Sequence, residues 1–239
     1  MPDPRFSVLI PARGAVKYLG PCLSSVFSQD CSALEVIVGV DGCPDTLKEI
    51  ARLRPTLPPM RVLWGEKCKG AYVTRNTLAH ESRGEFLIFF DADDLMLPGL
   101  IGWCEGRFGE KPVSQFRFRQ RWEYLLPPAT SSVTSKSGAR GAFGIRRDSF
   151  TALGGFKAWP CSADSEFQRR AVTILGPPAL SPAPLFIYRR HRASLTRDSK
   201  TGVRSTCRMI YHKKIRLLTP SELSSRIEPT LAEMSEVAT

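Results

Sequence analysis

Three carboxylates, Asp91, Asp93 and Asp94, stand together at the end of an apolar run, Phe86–Phe90 (FLIFF). At the end of a buried strand such groups repel one another and lose hydration, and both effects cost free energy. A divalent cation offsets that cost. Mg2+ and Mn2+ prefer oxygen ligands, and Mg2+ sites commonly join one or two carboxylates to substrate phosphates. In an extended backbone Asp91 and Asp93 project to the same side. The competing reading makes the acids a cap and first-turn charges for a helix opening at Leu95.

The elements that must position these acids alternate. Phe6–Ile10, ended by Pro11, reads as a first strand, and Glu35–Val40, closed by Asp41 and Gly42, as a second. Met60–Trp64 and Phe86–Phe90 follow as a third and a fourth. Between them the apolar spacing predicts helices over Lys17–Gln29, Thr46–Leu53 and Ala71–Ser82. The strands are apolar throughout, as expected when both faces of a mainly parallel sheet are covered by helices. In an open α/β sheet ligands collect beyond the carboxyl ends of the strands. Pro11, Ala12 and Arg13 follow the first strand there, Asp41, Gly42 and Asp45 the second, and Asp91, Asp93 and Asp94 the fourth.

The second half is looser. Gln115–Tyr124 (QFRFRQRWEY) alternates aromatic and basic residues and reads as a half-exposed strand with a basic face. Pro127–Gly141 reads as a loop, Ala142–Ile145 as a short strand, and Asp148–Leu153 as one or two helical turns before Gly154 and Gly155. A helix over Ser165–Leu175 and a last strand, Leu185–Tyr188, lead to Arg189, Arg190 and His191. Thr206–Leu218 reads as a basic helix, followed by a tail that is acidic on balance.

The 239 residues carry 34 Lys and Arg against 23 Asp and Glu, a net charge of +11 that favours anionic partners. Those include nucleic acid, phosphorylated substrates and an acidic membrane face. No apolar run approaches the roughly 20 residues of a membrane span. Residues 1–5 lack the organisation of a secretory signal. Seven cysteines, with no C-x-x-C pair, read as reduced thiols and argue against a zinc site or a disulfide framework. The expected setting is cytoplasmic, with peripheral contact at the inner membrane face as an alternative carried by the acid-free segment Arg204–Leu218.

With these residues in view the sequence resembles glycosyltransferase family 2 over roughly residues 5–200. FSVLIPARG is similar to the family's opening strand and nucleotide loop, and VIVGVDGCPD to its VIVVDDGSTD segment. GAYVTRNTLAHESRGEFLIFFDADD resembles the G-x-x-x-A-R-N…D-x-D-D block, the most specific part. FGIRRDSFTALGGFKAWPCSADSEFQRR is similar to the acceptor-side segment, and YRRHRASLT to the Y-R-x-H-x-x-S-x-S ending. The resemblance implies an α/β, GT-A (Rossmann-like) fold with a mixed, mainly parallel sheet. It implies a GT-A domain over 1–200, with a nucleotide-sugar half (1–100) and an acceptor half (101–200). A basic helical extension and tail would occupy 201–239.

Carried over by position, Pro11, Ala12, Arg13 and Asp41 would hold base and ribose, with Arg75 near the diphosphate. Asp91, Ala92 and Asp93 would form the D-x-D element of the nucleotide-sugar site. Asp93, Asp94 and His191 would hold Mn2+ or Mg2+, and Asp164 would be the catalytic base. Val40 replaces the first acid of the family's D-D-G pair. Ala163 replaces the Glu that often precedes the catalytic Asp, which leaves Glu166 as an alternative base. The implied reaction is an inverting, in-line transfer from a nucleotide-sugar, UDP by default, to a hydroxyl of a glycan or glycolipid. The basic, aromatic-rich stretch from Gln115 to Arg147 keeps a nucleic-acid acceptor open.

Blander readings stand beside these. Asp164 could cap the helix after it, His191 could be a surface histidine, Arg75 and Asn76 could lie on an exposed helix face, and Gly154-Gly155-Phe156 reads as a structural turn. A nucleotidyltransferase is a competing class, although PARGAVKYLG fits poorly where such enzymes carry a Gly-rich, lysine-containing loop. A non-catalytic basic module on a transferase scaffold is another, and the joint presence of Asp91, Asp93, Asp94, Asp164 and His191 argues against it.

Overall fold

The computed structural model describes residues 4–107, 114–124, 133–134, 141–191, 194, 197–225 and 227–237. The first part alternates as its apolar pattern predicts: β1 (Phe6–Ala12), α1 (Val16–Phe27), β2 (Leu34–Asp41), α2 (Pro44–Leu53), β3 (Arg61–Gly65), α3 (Ala71–Glu81) and β4 (Phe86–Phe89). These four strands are parallel, in the spatial order β3-β2-β1-β4. The pleat sends alternate residues to opposite faces. Val8 and Ile10 enter a core under α1 and α2, whereas Leu9 enters a second core with Leu78 of α3.

The second part comprises β5 (Leu95–Met96), α4 (Leu100–Arg107), β6 (Gln115–Tyr124), β7 (Val133–Thr134), β8 (Phe143–Arg146), α5 (Arg147–Leu153), α6 (Ala163–Leu175), β9 (Ala179–Arg190), α7 (Thr206–Leu217), α8 (Pro220–Ser224) and β10 (Ser235–Glu236). The mixed sheet of the described residues runs β10-β3-β2-β1-β4-β8-β6-β9-β5, with β7 on β6. β8 is antiparallel to β4 and β6, β6 is parallel to β9, and β9 is antiparallel to β5. The C-terminal residues return to the first part. β10 pairs antiparallel with β3, and the N–H of Ala232 donates to Thr77 Oγ1 at 2.8 Å.

Several boundaries differ from the sequence expectation. Pro11 does not end β1, which continues through Ala12 beside Val40. The N–H of Phe90 donates to the Leu9 carbonyl at 3.1 Å, the last bond from the β4 side. Pro11 lies two residues on, so its missing donor faces a side where β4 has ended and costs no ladder bond. The last strand starts at Ala179 instead of Leu185. Its Pro182 and Pro184 are tolerated beside an irregular register with β6, where Ser181 Oγ accepts the Arg119 N–H at 2.8 Å. No helix opens at Leu95: Leu95 and Met96 form β5, and α4 starts at Leu100. The loop from Pro127 onward, with Lys136 and Arg140, lies outside the described residues apart from β7 and Gly141. Among the described residues no helix is long and apolar enough to cross a membrane.

Candidate active site

At the carboxyl end of β4 the chain does not stay extended. It turns, with the Asp94 N–H donating to the Asp91 carbonyl at 3.1 Å. The turn, not strand alternation, gathers the acids. One carboxylate oxygen from each of Asp91, Asp93 and Asp94 lies within 4.8 Å of the others. Burial raises the pKa of Asp91. Arg75 opposes that shift, and Asp93 adds to it. Burial also pushes Asp94 well above the usual carboxylate range, with Asp93 and Asp91 adding repulsion. The cluster is therefore short of positive charge.

Two cationic side chains flank it. Arg75, on the second turn of α3, is buried and ion-paired with Asp91. Its Nε has no hydrogen-bond partner among the described residues. Arg75 and Asn76 are 7% and 2% exposed, which overturns the exposed-face reading. Asn76 is structural, because its amide exchanges two hydrogen bonds of 2.9 Å with the backbone of Phe156. That holds the turn at Gly154 and Gly155, where φ is +78° and +67°.

Arg189, the arginine of the Y-R-x-H ending, is the second cation, a role that the resemblance did not assign to it. It is buried; its Nε donates to the Asp93 carbonyl, and its backbone N–H donates to Asp94 Oδ1 at 3.0 Å. Its Nη2 reaches the Tyr18 carbonyl at 3.1 Å. The motif itself and strand alternation, which puts Arg189 and His191 on one side, were the available signals. His191 is buried, not a surface histidine. Its Nε2 lies 2.9 Å from Asp93 Oδ2, and its ring stacks on Tyr18 at 4.1 Å between centroids. Its Nδ1 has no partner among the described residues. The acids, the histidine and the orphaned nitrogens form a donor set that fits a hard divalent cation beside an anionic ligand.

Asp164 lies in the first turn of α6, two positions after the N-cap residue Ser162, so it is not the cap. Its Oδ1 accepts from the Tyr72 hydroxyl at 3.0 Å and from the Ser165 N–H at 2.8 Å. Among the described residues Oδ2 carries no hydrogen bond. Tyr72 lies one turn before Arg75 on α3, and its phenol is pushed up, by burial first and then by Asp164. The i,i+3 spacing to Arg75 was the signal that could have found it. Glu166 is fully committed elsewhere. It is fully buried, pairs through both oxygens with Arg170 at 3.0 and 2.9 Å, and lies 3.3 Å from Lys157.

The first two loops meet beside this centre. In the β1–β2 register Ala12 lies opposite Val40, which places Pro11–Arg13 against Asp41. Ala12 is buried and Arg13 exposed. Asp41 accepts the N–H groups of Lys69 at 2.7 Å and Gly70 at 3.0 Å, together with the Cys68 thiol at 3.3 Å. A carboxylate has about four acceptor sites, so one remains for a ligand. Gly70 is the N-cap of α3. The same helix is thus tied to Asp41 at its start and to Asp91 one turn later. Ala92 is buried inside the turn of acids.

The sequence profile of Glycosyl transferase family 2 matches residues 7–151. The Escherichia coli (strain K12) protein described as uncharacterized glycosyltransferase YibD is 34% identical over 94 residues, 39% of this chain and 27% of its own length. Chondroitin synthase of Escherichia coli is 31% identical over 106 residues, 44% of this chain and 15% of its own. The chain thus spans less than a third of the length of these relatives. Among solved structures, S. aureus TarS 1-349 in complex with UDP-GlcNAc superposes with a TM-score of 0.65 at 18% identity, covering 80% of this chain and 60% of that one. Mannosyltransferase PcManGT from Pyrobaculum calidifontis, in complex with GDP-Man and Mn2+, gives 0.63 at 18% identity, with 92% and 68% covered. At such identity the likeness is one of fold, the GT-A arrangement.

Proposed function

The chain belongs to glycosyl transferase family 2, and on that premise we propose that it moves a sugar, with inversion, from a nucleotide-sugar to an acceptor hydroxyl. The observation that carries this reading is the meeting, at one edge of the sheet, of an under-neutralised carboxylate cluster and a separate carboxylate with one oxygen open. The first hundred residues bind the donor: Pro11–Arg13 and Asp41 face base and ribose, and Asp91–Asp93 with Arg75 face the diphosphate. A UDP-sugar is the first donor to try, given the UDP-GlcNAc in TarS; the GDP-Man of PcManGT makes GDP the second.

Asp93, Asp94 and His191 would hold Mn2+ or Mg2+. Bound there, the cation supplies charge neutralisation for the departing diphosphate. Arg75 adds a fixed guanidinium whose Nε is without a partner among the described residues, a donor pre-aimed at an anion. Asp164 takes the proton of the acceptor hydroxyl on Oδ2, while Tyr72 and the Ser165 N–H hold Oδ1 in place. Glu166 is not the base, because both its oxygens are committed to Arg170. The acceptor, a glycan or glycolipid, approaches over residues 101–200.

The test is nucleotide release from a panel of UDP-, GDP-, dTDP- and CMP-sugars, with and without Mn2+. Metal-dependent release from one donor, lost in Asp93→Ala, is the expected result. Failure of the wild-type protein to bind or turn over any member of the panel overturns the reading.

A further inference from the structure

A cavity of 510 Å3 lies between α6 and α7 over β6, apart from the carboxylate cluster. On α6 it is lined by Ser165, Gln168 and Arg169, whose spacing puts them on one helix face. Thr173 of α6, His212 and Arg216 of α7 and Arg117 of β6 complete its polar wall, and among the described residues no carboxylate lines it. Three guanidiniums and an imidazole therefore share one space. Arg169 relieves its own charge by donating to the carbonyls of Ile215 and Leu218, at the C-terminal end of α7 where the helix is partly negative. The side chain of Arg216 has no hydrogen bond or ion pair among the described residues, and Arg117, among its contacts, donates to Gln168 Oε1 at 3.0 Å, in the cavity wall itself.

The cavity wall adjoins the proposed base: Ser165, which lines it, donates its N–H to Asp164. At 1.5 Å per residue, Gln168 and Arg169 lie roughly 6–8 Å along α6 from Asp164. A group held there is within reach of an acceptor whose hydroxyl is at Asp164. Guanidinium forks match the oxygens of a phosphoryl group.

We propose that this cavity is an acceptor subsite for a phosphoryl group, so that the acceptor is a glycan carrying a phosphate. This rests on the transferase reading above. The phosphate belongs either to a soluble glycan or to a lipid carrier. Exposed Met209, Ile210 and Leu217 beside Lys213 on the outer side of α7 give that helix an interfacial composition, and so give the lipid source a place to sit.

The experiment measures inorganic phosphate binding to the full chain with Mn2+ and a saturating nucleoside diphosphate, so that the donor site is filled. One phosphate is expected to bind, and Arg216→Gln and Arg117→Gln each to weaken it by about tenfold or more, with nucleotide affinity and thermal midpoint unchanged. A parallel arm sediments the protein with phosphatidylcholine vesicles, with and without phosphatidic acid. Co-sedimentation that needs phosphatidic acid and is lost in the double variant assigns the phosphate to a lipid. Phosphate binding without co-sedimentation assigns it to a soluble glycan. No phosphate binding, or binding that both variants retain, overturns the subsite. Loss of nucleotide binding by the wild-type protein would instead strike the transferase reading.

Discussion

The two ends of the parallel strands treat buried and half-buried carboxylates in opposite ways. At the amino end, Glu35 of β2 accepts the Arg83 N–H at 2.9 Å, the Ser7 hydroxyl, and Arg61 at 3.0 Å. Burial alone would raise its pKa, but Arg83, Ser7 and Arg61 outweigh burial and hold it below the ordinary glutamate value. At the carboxyl end, burial wins for Asp91 and Asp94, and both are raised. One edge has completed its electrostatics within the fold. The other has left them incomplete, as the proposed site for a cation and a diphosphate would have to be without them.

The contrast recurs within one turn of α6, where Asp164 keeps an oxygen open and Glu166 does not. The largest expected effect breaks that pair apart. Asp164→Asn should lower turnover by about 10²–10⁴-fold in steady-state kinetics, with nucleotide affinity unchanged. Glu166→Gln should act on stability instead. It leaves Arg170, which is fully buried, without its counter-charge, at a cost of ~3–5 kcal/mol in denaturant unfolding. If the two variants exchanged phenotypes, the assignment of base and structural pair would be reversed.

The next effect sharpens the comparison of the two edges. Mn2+ at a hundred times its dissociation constant should stabilise the wild-type protein by ~2.7 kcal/mol. Asp93→Ala should lose that gain, whereas Glu35→Gln should keep it; thermal shift reads both.

The smallest effect is on the finished edge. Glu35→Gln should cost ~1–2 kcal/mol and leave nucleotide release intact. The pH dependence has opposite signs at the two ends. Because Glu35 is lowered, the unfolded chain binds its proton more readily, and its contribution is present above about pH 4.3 and fades as pH falls through the folded value. Because Asp91 and Asp94 are raised, the metal-free native state holds their protons longer. Stability therefore declines as pH rises from the unfolded aspartate value through the folded ones. Asp94→Asn should flatten that decline in metal-free protein, and Glu35→Gln should flatten the acid-side rise, both measured as unfolding midpoints against pH.

Much of the fold was legible because apolar runs and helical spacing act locally. FSVLI, EVIVGV, MRVLW and FLIFF each mark a buried strand of the observed sheet. Boundaries were less legible where a partner strand decides them: Pro11 reads as a stop until β4 is seen to have ended beside it. In the site, the acids, His191, Arg75 and Asp164 could be named from motif and spacing. Arg189, though part of the Y-R-x-H ending, and Tyr72, one helical turn before Arg75, received no role, because an arginine in a basic run and a tyrosine on a helix reveal their partners only once β9 and α6 lie against the end of β4.

The sequence by itself determined the strand–helix alternation, the edge on which the polar residues gather and the set of carboxylates available there. Side-chain period and the chain's own order suffice for that. Tertiary structure decided what each carboxylate does. Asp91, Asp94, Asp164, Glu166 and Glu35 are chemically alike, and their differences come from burial and from partners distant in the chain. Asp94 meets Arg189 across 95 residues, Asp164 meets Tyr72 across 92, and Glu35 meets Arg83 across 48. Whether a carboxylate is spent or open depends on those long-range contacts, which no local pattern encodes.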